Sequence, residues 1–308
     1  MRNVNQLRIL LPVLLILWLT LPIPLAAQQA DPPPNNQLKI LSWNIYMLPL
    51  VADLSPSIEP SKRKERARQI GEIINQSDYH IVVLQEAFYR PARKIITKLT
   101  RANFPYRYGP VNYKQGIKTS SGVWILSRIP LEKLGCVRFN ECGGADCYAR
   151  KGAGLYKGSW NNKDFQILGT HILADGKRWQ RETQFVHIRR ELLDRYLEEG
   201  VAQIICGDMN TRMSYDDAYR FMLETLGAED HKVNTEQPST IPCEPIQSHR
   251  KSEENLICID YIFHRNNNSG IRIIEKNIVS FIANPQIAVK KFHGTLSDHL
   301  AVEITIEL

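Results

Sequence analysis

Short apolar runs that stop abruptly on a polar side chain constrain this chain more than any other feature. Ile81-Val82-Val83-Leu84 is followed at once by Gln85 and Glu86, and Val201–Cys206 by Gly207-Asp208-Met209-Asn210. Several successive apolar residues suit a strand covered on both faces, because a half-exposed strand alternates. Such strands need packing layers above and below them. Leu38–Asn44, Gly122–Ser127, Ile257–Phe263, Ile271–Phe281 and His299–Glu307 are further strand candidates, and Gly154–Trp160 and Phe165–His171 flank Asn161-Asn162-Lys163 as the arms of a hairpin. Helical spacing marks four other segments. Ser61 can cap a helix over Lys62–Asn75, and Pro91 suits the first turn of one ending near Leu99. Lys177–Glu198 is expected to be the longest helix, ended by Gly200, and Ser214 can cap a helix to Leu226. Strands, helices and a hairpin in this mixture predict an α/β fold with one mixed sheet or two packed sheets.

Residues 1–27 stand apart from this pattern. Arg2 and Arg8 precede an almost wholly apolar stretch, Ile9 to Leu19, and Ala26-Ala27 offers small residues for cleavage. This is the layout of a secretory signal peptide, and Pro12, Pro22 and Pro24 argue against a stable spanning helix. Residues 28–37 contain three consecutive prolines and read as a linker, leaving 38–308 as one domain. The formal net charge is +7, and losing Arg2 and Arg8 with the leader leaves +5. A basic surface suits nucleic acid, anionic lipid or a phosphorylated substrate, and equally suits plain solubility. Six cysteines lack any zinc-finger spacing. Export permits disulfides. Cys243–Cys258 and a pair within Cys136, Cys142 and Cys147 are candidates, and Cys206 is expected to be a buried thiol.

The polar residues gather where the strand candidates end: Asn44, Glu86, His171, Asp208, Asn210, Asp260, Asp298 and His299. Ligand sites of layered α/β folds collect at strand ends and the loops beyond them. The residue types suit one chemistry. A phosphodiester repels hydroxide, so its hydrolysis needs positive charge on the phosphoryl oxygens, a base for water, and an acid or cation for the leaving oxygen. Carboxylate and amide oxygens are ligands for Mg²⁺, and histidines carry protons near neutral pH. Glu86 is the first choice for a metal carboxylate, with Asn44, Asp208, Asn210 and Asp298 completing or flanking the site. Asp260, set inside the apolar run Ile257–Phe263, must be paired or hydrogen-bonded if buried.

The set Ser42-Trp43-Asn44, Leu84-Gln85-Glu86, Gly169-Thr170-His171, Gly207-Asp208-Met209-Asn210, Ile259-Asp260-Tyr261-Ile262-Phe263 and Ser297-Asp298-His299 resembles the endonuclease/exonuclease/phosphatase superfamily, over about residues 38–308. Within it, Trp43–Pro49, Asp146–Gly152 with Lys151-Gly152 matched, and Gly169–Asp175 are similar to bacterial-type neutral sphingomyelinases. The resemblance implies a four-layer α/β sandwich and Mg²⁺-dependent hydrolysis of sphingomyelin to ceramide and phosphocholine, with Mn²⁺ or Co²⁺ as substitutes. It implies Glu86 as principal metal ligand, with Asn44, Asp208 and Asp298 beside it. His299 would be the general base, oriented by Asp260. Asp208 and Asn210 would hold phosphate, water or a second metal, and His171 would lie near the leaving oxygen, with Asn44, Asn210 and His171 on the substrate phosphate. The partner expected is a sphingomyelin or phospholipid membrane surface, met by a secreted monomer. A nuclease or phosphatase on the same site is the alternative, and a non-catalytic binding module would have no need of both histidines. One departure stands out: the aromatic-tipped docking hairpin of the bacterial enzymes has only Phe281, Phe292 and scattered aliphatics as its counterpart. Met47–Val51 is a candidate apolar loop near the site.

Overall fold

The computed structural model describes residues 36–49, 60–113, 115–235, 239–242, 257–288 and 292–308. The leader and nearly all of the linker lie outside the described residues, as do Leu50, Val51 and Cys243. Residues Pro34–Leu308 form one compact unit, distinct from Met1–Pro33. No helix among the described residues is long and apolar enough to cross a membrane.

Among the described residues, eleven strands form two mixed sheets. The first contains β1 (Gln37–Met47), β2 (Ile81–Ala87), β3 (Tyr106–Tyr108), β4 (Trp124–Ser127), β10 (Arg272–Val279) and β11 (Ala301–Glu307), in the order β10-β11-β1-β2-β4-β3. The second runs β5-β6-β7-β8-β9, from β5 (Glu132–Arg138), β6 (Gly152–Trp160), β7 (Lys163–His171), β8 (Ala202–Asp208) and β9 (Asp260–Arg265). Among the strands of the described residues, β1–β2 and β7–β8 pair in parallel and the others antiparallel. Helices α1 (Pro60–Gln76) and α2 (Arg90–Thr100) cover the first sheet, and α3 (Arg178–Ile188) and α4 (Asp216–Leu226) cover the second. The result is the four-layer α/β sandwich that the resemblance implied.

Strand parity explains the layers. Leu38 and Ile40 of β1, Ile81 and Val83 of β2, Phe165 and Ile167 of β7, and Ala202, Ile204 and Cys206 of β8 pack together between the sheets. The intervening residues face helices: Trp43, Val82 and Leu84 meet Ala67, Ile70 and Ile96, while Leu168 and Ile205 meet Phe185, Ile188 and Met222. Both faces are therefore dry, as the unbroken apolar runs require. Burying each such side chain contributes roughly 1.5–3 kcal/mol before entropy is charged against it.

Several boundaries differ from the sequence reading. The longest helix is α1, of 17 residues, rather than the α3 segment. α3 widens after Ile188 into a π turn, Arg189–Leu193, where Arg189 leaves the helix face to donate to the carbonyls of Glu224 and Thr225 and to pair with Asp194. Ser61 lies inside α1 rather than ahead of it, and α4 starts after Tyr215 with no side-chain cap, so Ser214 does not cap it. Strands β3 and β5 were invisible in the sequence; both are edge strands with largely exposed residues. The β6–β7 hairpin is as expected, with Asn161 and Asn162 at φ 50° and 63°, the left-handed pair of a type I′ turn. Cys142 and Cys147 form a disulfide, and Cys206 and Cys258 are buried free thiols; Cys243, the other half of the candidate bridge to Cys258, lies outside the described residues.

Candidate active site

The same parity that builds the inter-sheet core delivers the polar groups. Asn44 continues the inner face of Leu38 and Ile40, Asp208 that of Ile204 and Cys206, His171 that of Phe165 and Ile167, and Asp260 that of Ile262. Register then aligns them, because His171 lies opposite Asp208, and Asp208 opposite Asp260. Three neighbouring strands of the second sheet thus end on one rung of polar side chains. Gly207 permits the close approach of β7 and β8, since a Cβ there would sit 2.4 Å from the Thr170 carbonyl oxygen.

Glu86 breaks the parity. A regular strand would send it to the helix side with Val82 and Leu84, but its backbone is left-handed, at φ 54°, and turns it back toward Asn44, whose amide acts to lower the carboxyl's pKa. Tyr46 (φ 44°) and Asn210 (φ 46°) share this conformation at the ends of their segments. Each such residue costs of order 1–3 kcal/mol, and strain of that kind concentrates at functional sites.

The contacts are dense. Asn44 Nδ2 donates to Asp208 Oδ2 (3.1 Å), and the Asn210 backbone N–H donates to Asp208 Oδ1 (3.0 Å). His171 Nε2 lies 3.5 Å from Asp208 Oδ2, and His299 Nε2 lies 3.9 Å from the same oxygen. His299 Nδ1 meets Asp260 Oδ2 at 2.8 Å. Ligand atoms of Asp208, Asp260 and His299 all fall within 4.8 Å of one another. The loop carrying Ser297-Asp298-His299 is pinned from behind: Ser297 Oγ donates to the Asn44 carbonyl (2.7 Å), and Trp43 Nε1 to the His299 carbonyl (3.1 Å). Thr240 accepts the backbone N–H of Asp260 (3.2 Å) and, through its carbonyl, that of Leu300 (2.7 Å), tying β9 to the start of β11.

All eight residues named from the sequence therefore meet in one place. Two further cations join them: Lys151, matched in the resemblance but given no role, and Arg66, not named at all. Lys151, only 4 % exposed, donates from Nζ to His171 Nε2 (3.1 Å) and to the Ile172 carbonyl (2.9 Å), and pairs with Asp146 Oδ2 (2.9 Å). Its signal was slight, a lysine before Gly-Ala-Gly at the head of a strand. Arg66, fully buried in α1, donates to the carbonyls of Leu296 and Ile45 and joins the Ser297 loop to β1. Nothing in the alternation of α1 marked it.

Electrostatics follow from this crowding. Burial, then the Asp298 charge, pushes the Glu86 carboxyl up to about 7. Burial, then Asp260, pushes Asp208 up to about 6. Burial alone would lower His299, but Asp260, Asp208 and Asp298 outweigh it and hold the imidazole well above its ordinary value. His171 goes the other way, well below, through burial and then the neighbouring Lys151 and His299 charges. It is a neutral imidazole whose Nε2 accepts from Lys151. Buried carboxylates this close call for a cation, and Glu86 Oε2 is buried without any hydrogen-bond partner. Hard oxygen donors of this kind suit a divalent ion. From Asn210 a cleft of about 840 Å³ opens between α3 and α4, lined by Arg181, Arg212, Tyr215 and Phe185.

Residues 41–299 match the model of the Endonuclease/Exonuclease/phosphatase family. Sphingomyelinase C 2 of Leptospira interrogans is 26% identical over 248 residues, 74% of this chain but only 39% of that protein's length. Sphingomyelinase C of Listeria ivanovii is 26% identical over 308 residues, covering 90% of this chain and 88% of that protein. A crystal structure of a Staphylococcus aureus beta toxin variant with bound magnesium ions superposes with a TM-score of 0.65 at 19% identity, over 87% of this chain and 99% of that one, a likeness of fold.

Proposed function

The chain belongs to the Endonuclease/Exonuclease/phosphatase family, and from that premise we propose that it is a secreted, magnesium-dependent phosphodiesterase of phospholipase C type that hydrolyses sphingomyelin to ceramide and phosphocholine. The observation that carries this reading is one buried cluster holding both an unpartnered Glu86 oxygen and a His299–Asp260 pair at 2.8 Å. Sphingomyelinase relatives along almost the whole chain support the choice of substrate. The signal-like leader and the Cys142–Cys147 disulfide support export.

Glu86 would hold the metal, with Asn44, Asp208 and Asp298 around it. Bound there, magnesium supplies positive charge to the phosphoryl oxygens of the substrate. Everything else falls to the chain. Asp260 accepts the Nδ1 proton of His299 and leaves Nε2 facing the site, where it takes a proton from the attacking water. A cation held by these carboxylates would offset the field that raises His299 and so favour the neutral, proton-accepting imidazole. Asp208, fixed by Asn44 and the Asn210 N–H, and Asn210 itself hold water and phosphate in place. His171, neutral beside the Lys151 ammonium, serves the leaving oxygen with a fixed positive charge behind it. Asp146 keeps that lysine in position through its 2.9 Å ion pair.

The test is release of phosphocholine from sphingomyelin vesicles by the protein with magnesium, against an EDTA control. EDTA-sensitive release is expected. Folded, metal-loaded protein that releases none would sink the reading and favour a nuclease or phosphatase on the same residues.

A further inference from the structure

Among the described residues, neither aromatic of the segment that stands in place of a docking hairpin is free to reach an interface. Phe281 is partly buried, its ring 4.8 Å from that of Trp43, and Phe292 is fully buried beneath Arg66. Met47 is core as well. Exposed apolar side chains nevertheless follow a pattern. Among the described residues, six large ones are more than half exposed: Tyr113, Ile117, Tyr148, Trp179, Tyr215 and Ile282. The least exposed of them, Trp179, is at 57%, and the next in rank, Leu197, is at 49%.

Connectivity puts all six at one end of the sandwich. Tyr113 and Ile117 lie on the loop that enters β4, where the Gly122 carbonyl accepts the Ala87 N–H beside Glu86. Tyr148 ends the short 3₁₀ turn Gly144–Tyr148, three residues before Lys151. Its carbonyl accepts the Thr119 N–H (2.8 Å), and Arg150 donates to the Tyr113 carbonyl (2.6 Å), which knits these two loops together. Trp179 opens α3 after the segment leaving His171, and Tyr215 precedes α4 five residues after Asn210. Ile282 lies between the end of β10 and Ser297. Leu197, by contrast, precedes β8 at the opposite end, and Ile274 and Tyr106 are at the far ends of their strands.

We propose that these six side chains form a docking rim that seats the site end of the protein on a lipid bilayer, with Lys118, Arg181 and Arg212 contacting lipid phosphates. The proposal rests on the lipid-hydrolase reading for its direction, since a headgroup phosphate must reach Glu86 and His299. Its own support is the chemistry of the rim. Three tyrosines and a tryptophan combine an apolar body with a polar tip, the type that settles at headgroup depth. The six points sit on five separate loops at the site end, and Tyr215 among them lines the cleft beside Asn210. A fluid interface accepts isolated insertions of this kind, whereas a protein partner needs a contiguous complementary patch. Lys118, Arg181 and Arg212 form no salt bridge among the described residues, and the Arg212 guanidinium lies over the Tyr215 ring at 5.3 Å. Those charges complement anionic phosphates.

The experiment uses the chain from Gln28, which keeps the whole compact unit and removes the apolar leader. Sedimentation with phosphatidylcholine/phosphatidylserine vesicles in EDTA reads docking without turnover. Binding is expected, with a blue shift of the Trp179 fluorescence that Trp179→Phe abolishes. The triple variant Ile117→Ser, Tyr148→Ser, Trp179→Ser should partition at least about tenfold more weakly, while melting as before and turning over a soluble phosphodiester at the unaltered rate. Wild-type protein that ignores vesicles, or a triple variant within twofold of it, overturns the rim. Retention on single-stranded DNA in place of vesicles overturns it too. The two readings fail separately: vesicle binding lost in the variant, with no lipid turnover by the wild type, leaves docking and removes the enzyme assignment. Undiminished hydrolysis of vesicle sphingomyelin by the variant removes docking alone.

Discussion

Replacing Asp260 by asparagine tests the chemistry at its narrowest point. The carboxylate is 1 % exposed and accepts the Nδ1 proton of His299 at 2.8 Å, while its second oxygen, Oδ1, has no partner. Two consequences follow from losing the charge. The imidazole loses the largest of the influences that raise its pKa, so the His299 proton should come off at lower pH. An asparagine can also present its NH₂ to Nδ1, which stabilises the tautomer protonated on Nε2, the wrong one for a base. Removing a positioned base, or misplacing its proton, typically costs about 10²–10⁴-fold in rate, or roughly 3–5 kcal/mol of barrier. Stability should change little, because the lost pairing with His299 is offset by removal of a buried charge whose repulsion helps to raise Asp208. The assays are kcat for phosphodiester turnover at saturating magnesium, the His299 titration followed by NMR, and thermal melting. A variant that keeps more than a tenth of wild-type kcat with its His299 titration unmoved would refute the role assigned to the pair. A variant that loses activity only because it melts below the assay temperature would refute the argument that the two effects offset.

Glu86→Gln removes the carboxylate with the unpartnered oxygen and should raise the magnesium needed for half-maximal turnover, or abolish turnover, in a folded protein; normal activity at low magnesium would remove Glu86 from the metal. Lys151→Met strips the cation 3.1 Å from His171 and leaves Asp146 unpaired. Because Asp146 is 18 % exposed and can be rehydrated, the stability loss should stay below the ~3–5 kcal/mol of a fully buried broken pair, while His171 titrates at higher pH and kcat falls; an unshifted His171 would contradict the contact. Reducing Cys142–Cys147, which closes a short loop of sequence separation 5, should cost about 2 kcal/mol and lower activity by loosening Asp146, as read from melting and turnover with and without dithiothreitol; equal values would show the loop is held without it. His80 accepts the Lys39 N–H at Nδ1 (3.0 Å), and burial, then Arg128, lowers its pKa. A depressed histidine contributes stability above its unfolded value of about 6.5 that is lost as pH falls. His80→Gln should therefore flatten the acid limb of the stability–pH curve, and an unchanged limb would assign it to other groups.

How much of this could be read in the sequence depended on whether a residue's reason for being there is local. Strand runs such as Ile81–Leu84 were legible because burial on both faces leaves no room for alternation. Edge strands β3 and β5 were not, since exposure on one side erases the apolar signature. Asn44, His171, Asp208 and Asp260 were legible because a polar residue ending or interrupting an apolar run demands a purpose, and parity then carries each of them to the inner face. Their convergence was not legible, because it depends on register between strands over a hundred residues apart in sequence, as with Asn44 and Asp208. Glu86 shows the limit most clearly. Its residue type singled it out, yet alternation taken literally would place it among the helices, and only the left-handed backbone turns it back toward Asn44 and Asp298. Lys151 and Arg66 stayed hidden for a related reason. A basic residue in sequence reads as a solvated face, and what sets these two apart is burial against partners that the fold brings up: the Asp146 carboxylate and the Ile172 carbonyl for one, the Ile45 and Leu296 carbonyls for the other. The anions of the site could be found by asking why a charge follows a buried run, whereas the cations required the fold, because a long flexible side chain hides its destination until the partners are in place.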